Sequence, residues 1–319
     1  MADSKQTSAN NASRPQDQVV VLIARPGEAA LTDELLAQVA EPLAPFMPEL
    51  RWLEEKERSA AEMAFTPPPA SHYNPRSLRE RLRGRLMGLP VDIAVLPLGG
   101  RRKKLLVADM DSTIIGQECI DELAAHAGVG REVAEVTERA MRGELGFREA
   151  LKERLARLKG LPESIIDEVI EQRICITNGA QTLVRTMRAH GAKTALVSGG
   201  FVPFARHVAE VVGFDTFRAN ELPARDGRLT GEAAEPILGK DAKLETLLEL
   251  ARELNITPAE VLAVGDGAND AAMIEAAGLG VAYHAKPVLA DIADAQIEYN
   301  DLTALLYLQG YRHDEFVTS

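Results

Sequence analysis

The chain has very little cysteine for its 319 residues. Only Cys119 and Cys175 occur, too few for a disulfide framework or for a cysteine-rich zinc site. Such sparing use of cysteine is typical of proteins of the reducing cytoplasm, which is where we expect this one. Both residues are most simply interpreted as small buried apolar side chains.

A long apolar run and an excess of positive charge are also missing. No stretch approaches the roughly 20 apolar residues that cross a bilayer, and the polar start does not resemble a signal peptide. A formal net charge of −12 repels nucleic acid and anionic membranes, so neither is expected as a partner. An anionic substrate must therefore be attracted by local positive groups.

What the chain does contain, 46% hydrophobic residues, can supply cores for two domains. Residues 1–16 are polar and aperiodic, which predicts a flexible tail. Residues 17–100 show the order β-α-β-β-α-β, which indicates a ferredoxin-like sandwich. Its second helix carries five arginines that we expect to form a solvated face rather than an anion site: Arg76, Arg79, Arg81, Arg83 and Arg85.

The most informative stretch is an apolar run, residues 105–108, that ends in Asp109 and Asp111. A continuous apolar run is typical of a buried parallel strand, and ligands of α/β sheets bind beyond the carboxyl ends of such strands. If the strand continues, both carboxylates lie on one side, where their repulsion requires a cation or a shared proton. Mg²⁺ suits oxygen ligands of this kind. A lone pair of this type could equally be a turn that caps a helix.

Three later features favour a catalytic site. Ser198, Gly199 and Gly200 follow a second apolar run, and the sequence GDGAND at 265–270 follows a third. Lys243 lies on a helical stretch between them, with Lys240 as its nearest rival. A hydroxyl, glycine amides, a lysine and further carboxylates together make a site for phosphate and a metal ion.

In that order, DMDST, SGG, the lysine and GDGAND resemble the four motifs of the haloacid dehalogenase superfamily, and the match extends to its phosphoserine phosphatases over residues 103–310. The resemblance implies a doubly wound α/β core, residues 101–319, with a helical cap inserted at 116–177. It also implies that the domain at 17–100 is ACT-like, a weaker likeness that lies in layout. Helical periodicity without a strand signal supports the cap.

The resemblance assigns the chemistry as well. Asp109 is expected to attack phosphorus, and Asp111 to act as general acid and then general base. The metal ligands are expected to be Asp109, Asp266 and the backbone carbonyl of Asp111, while Asp270 supports the site from behind. Phosphate oxygens are expected to meet Ser198, Gly199, Gly200 and Lys243.

Substrate choice is expected to depend on the cap. Glu118 would bind the ammonium of phosphoserine, and Arg154 would bind its carboxylate. In the resemblance Met141 and Phe147 line the pocket, while Asn269 and Gly200 approach from the core. From the residues alone, each of the charged cap residues could instead pair with a neighbour.

Several alternatives stay open at this point. The substrate could be a related amino-acid phosphate, such as phosphothreonine or homoserine phosphate. The chain could also be a regulatory protein that only binds, with an N-terminal serine sensor, although both Asp109 and Asp111 are retained. L-serine binding at the N-terminal domain and a homodimer are further expectations, because ACT-like domains often pair.

Overall fold

The computed structural model describes residues 17–28, 30–68, 73–141 and 144–318, with Met141 described for its backbone alone. The predicted tail at 1–16 therefore lies outside the described residues. Within those ranges, no helix is both long enough and apolar enough to cross a membrane.

The N-terminal unit is a four-stranded antiparallel sheet with the order β2-β3-β1-β4. Thr32 and Asn74 start its two helices by accepting backbone N–H groups with their side chains. This layout confirms the predicted ferredoxin-like topology. Its elements are β1 (Gln18–Ala24), α1 (Asp33–Ala40), β2 (Glu49–Glu54), β3 (Ala60–Phe65), α2 (Pro75–Arg85) and β4 (Val91–Pro97).

A six-stranded parallel sheet forms the second unit, with the order β12-β11-β10-β5-β6-β7. The strand order reverses around β5, as expected for a doubly wound sheet. The strands are β5 (Leu105–Ala108), β6 (Lys193–Phe201), β7 (Thr216–Asn220), β10 (Val261–Gly265), β11 (Leu279–Tyr283) and β12 (Ala295–Ile297). Its helices are α7 (Ala180–Ala189), α8 (Val202–Val212), α9 (Lys240–Glu253), α10 (Ala271–Ala276), α11 (Pro287–Ala290) and α12 (Ala304–Leu308).

Four helices form the cap between β5 and α7. They are α3 (Cys119–His126), α4 (Gly130–Met141), α5 (Phe147–Arg157) and α6 (Ile165–Arg173). The two chain segments that lead into and out of the cap pair at Ile115 and Ile176. The cap is therefore attached through a narrow two-stranded neck, which is the geometry of a body that can tilt over the sheet edge.

A small hairpin touches the cap from the core side. Its strands are β8 (Ala224–Arg225) and β9 (Arg228–Leu229), joined through Asp226 and Gly227, an Asp-Gly pair of the kind that favours a tight hairpin turn. The amide of Gly160 donates to the carbonyl of Leu229 (2.9 Å), and that of Leu229 donates to the carbonyl of Leu161 (2.9 Å). The hairpin is thus hydrogen-bonded to the cap.

The N-terminal sheet is covered on both faces. Val20 and Leu22 of β1 pack among the unit's own helices, whereas Val21 and Ile23 share a core with residues of α12 such as Leu305. Because side chains of a strand alternate between faces, this single strand contributes to two cores. The two units are consequently joined by an apolar layer.

Three arginines of α2 contact the second unit at that junction, so the prediction of a solvated face was wrong for Arg79 and Arg83, whereas Arg81 and Arg85 are exposed as predicted. Arg79 donates to the carbonyl oxygens of Ala293 (3.0 Å) and Asp294 (2.6 Å), and Arg83 pairs with Glu298 at 2.7 Å. Arg76 also donates to a core carbonyl. Helical periodicity places these side chains on the outer face of their own domain, but it does not reveal that a second domain contacts part of that face.

Candidate active site

Three adjacent strands deliver the predicted catalytic groups to one edge of the parallel sheet. Asp109 follows β5, the Ser198 loop ends β6 on one side, and Asp266 follows β10 on the other. Since parallel strands share the direction of their carboxyl ends, these side chains meet at that edge. The backbone bond from Asp109 N–H to the carbonyl of Val264 (3.0 Å) fixes the relative positions of β5 and β10 there.

Lys243 lies at the centre of a buried ion network. Its Nζ is 2.7 Å from Asp109 Oδ1 and 2.5 Å from Asp270 Oδ1, and all three side chains are at most 5% exposed. The second oxygen of Asp270 accepts the amide of Gly267 at 3.1 Å. Of the two rival lysines, the structure therefore places Lys243 beside the predicted nucleophile.

Asp109, Asp266 and Asp270 form a cluster in which one carboxylate oxygen from each lies within 4.8 Å of the others. Burial, with Asp270 as the next cause, raises the pKa of Asp266 to about 6. Burial also raises the pKa of Asp109 well above its usual range, against the opposing effect of Lys243. Three carboxylates facing one lysine leave excess negative charge, and this oxygen-rich donor set fits a divalent cation.

Burial lowers the pKa of Lys243, but the carboxylates of Asp109 and Asp270 outweigh it, so the net pKa is raised. The lysine is therefore a permanent cation in the working pH range. A protonated carboxyl group would relieve the remaining repulsion among its acidic neighbours, and a bound dication would relieve it without protonation. The arrangement consequently favours metal binding with release of a proton.

Asp111 is held apart from the carboxylate cluster. Its Oδ1 accepts the backbone N–H of Cys119 (3.2 Å), and its Oδ2 accepts the hydroxyl of Ser198 (3.4 Å). Burial and then the negative charge of Glu118 raise the pKa of Asp111 to about 6. A carboxyl group of that pKa can both donate and accept a proton near neutrality, as the predicted acid and base role requires.

The end of β6 at 198–200, where its pairing with β7 is interrupted, forms a loop that packs closely against Asp111. A Cβ atom on Gly200 would lie 2.8 Å from Asp111 Oδ2 and 3.0 Å from Ser198 Oγ, so any side chain there would displace the groups of the site. The Gly200 amide donates to Ser198 Oγ at 2.8 Å. The loop is thus prefolded with its hydroxyl beside the general acid.

The predicted cap residues surround this edge from above. Glu118 accepts the hydroxyl of Ser112 at 2.8 Å. Arg154 is partly buried, and it forms no ion pair with any residue that the structure describes. Burial lowers the pKa of Arg154, and the negative charges of Asp121, Glu118 and Asp111 oppose that effect.

The remaining predicted residues differ in how much the structure says of them. Phe147 begins α5, and its ring lies against Gly199 of the core. Asn269 lies exposed in the loop after β10. Met141 ends α4, and its side chain lies outside the described residues.

Sequence reasoning missed two features of the site. Asp270 was expected to support the site, but its pairing with Lys243, 27 residues away in sequence, was not predicted. The amide of Cys119 was not anticipated as a partner of Asp111. The signal for Asp270 was its place four residues after Asp266, where a turn brings both carboxylates back to the same edge.

Known proteins share this arrangement. A family model described as haloacid dehalogenase-like hydrolase matches residues 106–275. A phosphoserine phosphatase of Archaeoglobus fulgidus is 48% identical over 72% of this chain and 67% of its own length. One of Streptococcus thermophilus is 49% identical over 63% of this chain and 93% of its own length. The chain spans only 55% of a further relative, from Mycobacterium tuberculosis.

A solved structure extends the similarity to the N-terminal unit. The crystal structure of a probable phosphoserine phosphatase from Vibrio cholerae superposes with a TM-score of 0.72 and 32% identity. The match covers 94% of this chain and 88% of that one. Both sheets described above therefore occur together in another protein.

Proposed function

This chain belongs to the haloacid dehalogenase-like hydrolases, and we propose that it hydrolyses O-phospho-L-serine to L-serine and phosphate, the last step of serine biosynthesis. The observation that carries this function is the buried Asp109 at the tip of the central strand, 2.7 Å from Lys243 and clustered with Asp266 and Asp270. A nucleophilic carboxylate with an adjacent cation and a metal-compatible donor set is what phosphoryl transfer requires.

Asp109 attacks phosphorus in line with the leaving oxygen, and an aspartyl-phosphate forms as the bond to the serine oxygen breaks. Asp111 gives its proton to that oxygen, so serine leaves as a neutral alcohol. Asp111 then accepts a proton from the water that attacks the aspartyl-phosphate, which regenerates Asp109 and releases phosphate. Lys243 balances the charge of the nucleophile and of the phosphate oxygens.

The proposed metal is Mg²⁺, held by Asp109, Asp266 and the backbone carbonyl of Asp111. When bound, it neutralises charge that develops on the phosphoryl oxygens. Asp270 has both oxygens engaged by Lys243 and by the amide of Gly267, so we assign it to the support of Lys243 and the loop. The excess negative charge of the cluster supports the proposed binding of a divalent cation.

Specificity is proposed to come from charge pairing in the cap. Glu118 binds the substrate ammonium, and the guanidinium of Arg154 binds its carboxylate through two parallel hydrogen bonds. Met141 and Phe147 line the apolar side of the pocket, and Ser198, Gly199, Gly200 and Asn269 contact the phosphate end. The lack of a protein ion pair at Arg154 among the described residues supports its role, because a free guanidinium beside an active site is available to a ligand.

The setting of the reaction is part of the proposal. Two free cysteines suit a reducing cytoplasm, although the prediction that both are buried was wrong for Cys175, which is exposed. L-serine binding at the N-terminal domain and a homodimer remain predictions.

The test is release of phosphate from L-phosphoserine by the full chain, with Mg²⁺ or with a chelator, beside Asp109→Asn. We expect turnover only for the unaltered protein supplied with metal. Phosphothreonine, homoserine phosphate and a sugar phosphate are the comparison substrates. Preference for the sugar phosphate would contradict the roles of Glu118 and Arg154, and equal rates in all samples would refute the mechanism.

A further inference from the structure

One buried amide joins two loops of the site that are far apart in sequence. Asn220 ends β7 and is 4% exposed. Its Nδ2 donates to the carbonyl oxygens of Gly199 (2.9 Å) and Leu238 (3.2 Å), and its Oδ1 accepts the amide of Leu238 (2.7 Å). Both N–H donors and the carbonyl of this side chain are thereby used between the two loops.

Each loop carries part of the proposed phosphate site. Gly199 lies between Ser198 and Gly200, and Leu238 precedes α9, whose first turn contains Lys243. A fixed distance between the loops therefore means a fixed distance between the hydrogen-bond donors and the buried cation. Groups that contact a transferring phosphoryl must be held to a fraction of an ångström.

The bond to the Gly199 carbonyl also determines where the next amide points. The peptide unit between Gly199 and Gly200 is planar, with its carbonyl and its N–H directed oppositely. Holding the oxygen on Asn220 turns the Gly200 N–H toward Ser198 Oγ, which it meets at 2.8 Å. Glycines rotate more freely than other residues, so this peptide unit needs such an anchor.

The same two loops support the cap. A Cβ atom on Gly199 would lie 3.5 Å from Phe147 Cζ, and one on Gly239 would lie 3.5 Å from Phe147 Cδ1 and Cε1. The phenyl ring at the start of α5 thus rests over both glycines. A shift of either loop would move the surface on which the cap closes.

We propose that Asn220 is a positioning residue of the phosphoryl-transfer site. It fixes the loop at 198–200 against the segment at 237–239 and sets the direction of the Gly200 amide. It thereby also holds together Gly199 and Gly239, against which Phe147 packs. The proposal rests on the proposed function, since it concerns the geometry of the same phosphate site. A merely structural amide that fills the end of β7 would affect stability alone.

Asn300 provides a matched control. It is 6% exposed, and its Nδ2 likewise makes two bonds, to the carbonyl of Ile23 (3.0 Å) and to Asp92 Oδ2 (2.8 Å), but at the domain junction. Asn220→Ala and Asn300→Ala should therefore lose similar stability. Asn220→Asp preserves size and the acceptor for Leu238, and replaces the two donors with an oxygen that repels both carbonyls and adds a negative charge when ionised.

The experiment measures kcat and KM for L-phosphoserine, binding of inorganic phosphate with Mg²⁺ by calorimetry, and melting temperature. For Asn220→Ala we expect kcat/KM to fall about 100-fold, with contributions from both kcat and KM, and the Kd of inorganic phosphate to rise about 10-fold. Asn220→Asp should show the same pattern even if the alanine variant does not fold. Asn300→Ala should stay within about threefold of the parent in all kinetic and binding constants.

Two results would overturn the inference. One is a folded Asn220→Asp protein with the parent's kcat/KM and phosphate affinity. The other is an Asn300→Ala protein with the same kinetic losses at the same melting temperature. If the parent fails to hydrolyse L-phosphoserine, the proposed function fails, and phosphate affinity in the three variants still decides the role of Asn220.

Discussion

Buried carboxylates occur both at the domain junction and at the edge of the parallel sheet, but the two regions differ in how the negative charge is balanced. At the domain junction, Asp92 accepts backbone N–H groups from Glu298, Tyr299 and Asn300, and the Nδ2 of Asn300 as well. At the sheet edge, Asp109, Asp266 and Asp270 share one lysine and retain excess negative charge. A buried carboxylate whose oxygens accept several hydrogen bonds stabilises the fold. A cluster of carboxylates with too few cations keeps a net negative charge and therefore favours binding of a positively charged ligand.

The largest effect is expected at the sheet edge, where the prediction tests whether Asp109 is the nucleophile. Asp109→Asn should lower kcat for L-phosphoserine by at least about 10⁴-fold, because the nucleophile is lost. The melting temperature should stay at or above that of the parent, since Asp270 still pairs with Lys243 and one repulsive charge is gone. Steady-state kinetics and calorimetry check both parts. A large loss of stability would mean that Asp109, like Asp92, mainly stabilises the fold.

Arg154 has no ion-pair partner among the described residues, and it tests whether such a cap cation binds the substrate. Arg154→Lys should raise KM for L-phosphoserine about 10- to 100-fold, because a lysine cannot form the paired bonds to a carboxylate. Turnover of an aryl phosphate, which has no carboxylate, should change little. Arg148→Lys, at an exposed cap arginine that pairs with Glu235, is the control. Equal effects on both substrates would count against carboxylate recognition.

Asp92 tests the other region. Asp92→Ala leaves several buried N–H groups without an acceptor, so we expect the free energy of unfolding to fall by about 3 kcal/mol. The kcat of the folded protein should change less than about threefold, because the catalytic groups lie on other strands. Denaturant unfolding and an activity assay at low temperature measure the two quantities. An Asp92→Ala protein of normal stability would show that the donors find water instead.

A metal titration compares the regions within one protein. Mg²⁺ at about 100 times its Kd should stabilise the parent by about 2.7 kcal/mol, because it binds only the folded state. The shift should persist in Asp92→Asn and disappear in Asp266→Asn. Thermal melts with Mg²⁺ and with a chelator give the result. An equal shift in all three proteins would mean that the ion binds elsewhere.

The smallest effect concerns an exposed pair at the junction. Arg83 and Glu298 are 39% and 37% exposed and 2.7 Å apart. Arg83→Ala should cost about 0.2–1 kcal/mol, and the loss should shrink in high salt. Double-mutant analysis with Glu298→Ala isolates the pair. A coupling above about 2 kcal/mol would mean that this arginine helps to fasten the junction as Asp92 does.

The site was predictable from sequence wherever a residue follows directly from a strand. Asp109, Ser198 and Asp266 each end an apolar run, and parallel strands bring such ends together whatever the details of packing. The ferredoxin-like topology was predictable for a similar reason, because alternation and helix periods are local properties. The roles proposed for these residues still await the experiments above.

Partners distant in sequence could not be predicted. In the sequence, Asp92 is a polar residue near the start of a strand, and nothing there indicates a partner. Only in the folded chain does its carboxylate accept hydrogen bonds from the amides at 298–300. The arginines of α2 have the spacing of a solvated face, but Arg79 and Arg83 contact the second domain. Asn220 gave no signal, because a single amide has no period and its partners lie about 20 residues away on either side.

The double coverage of β1 has a practical consequence for anyone who trims the gene. A shortened protein that starts near Arg101 would expose the apolar face of α12, including Leu305 and Tyr307, to solvent. Such a fragment should aggregate during production even with every catalytic group intact. Polar replacements along that flank would be needed before it could be handled in solution.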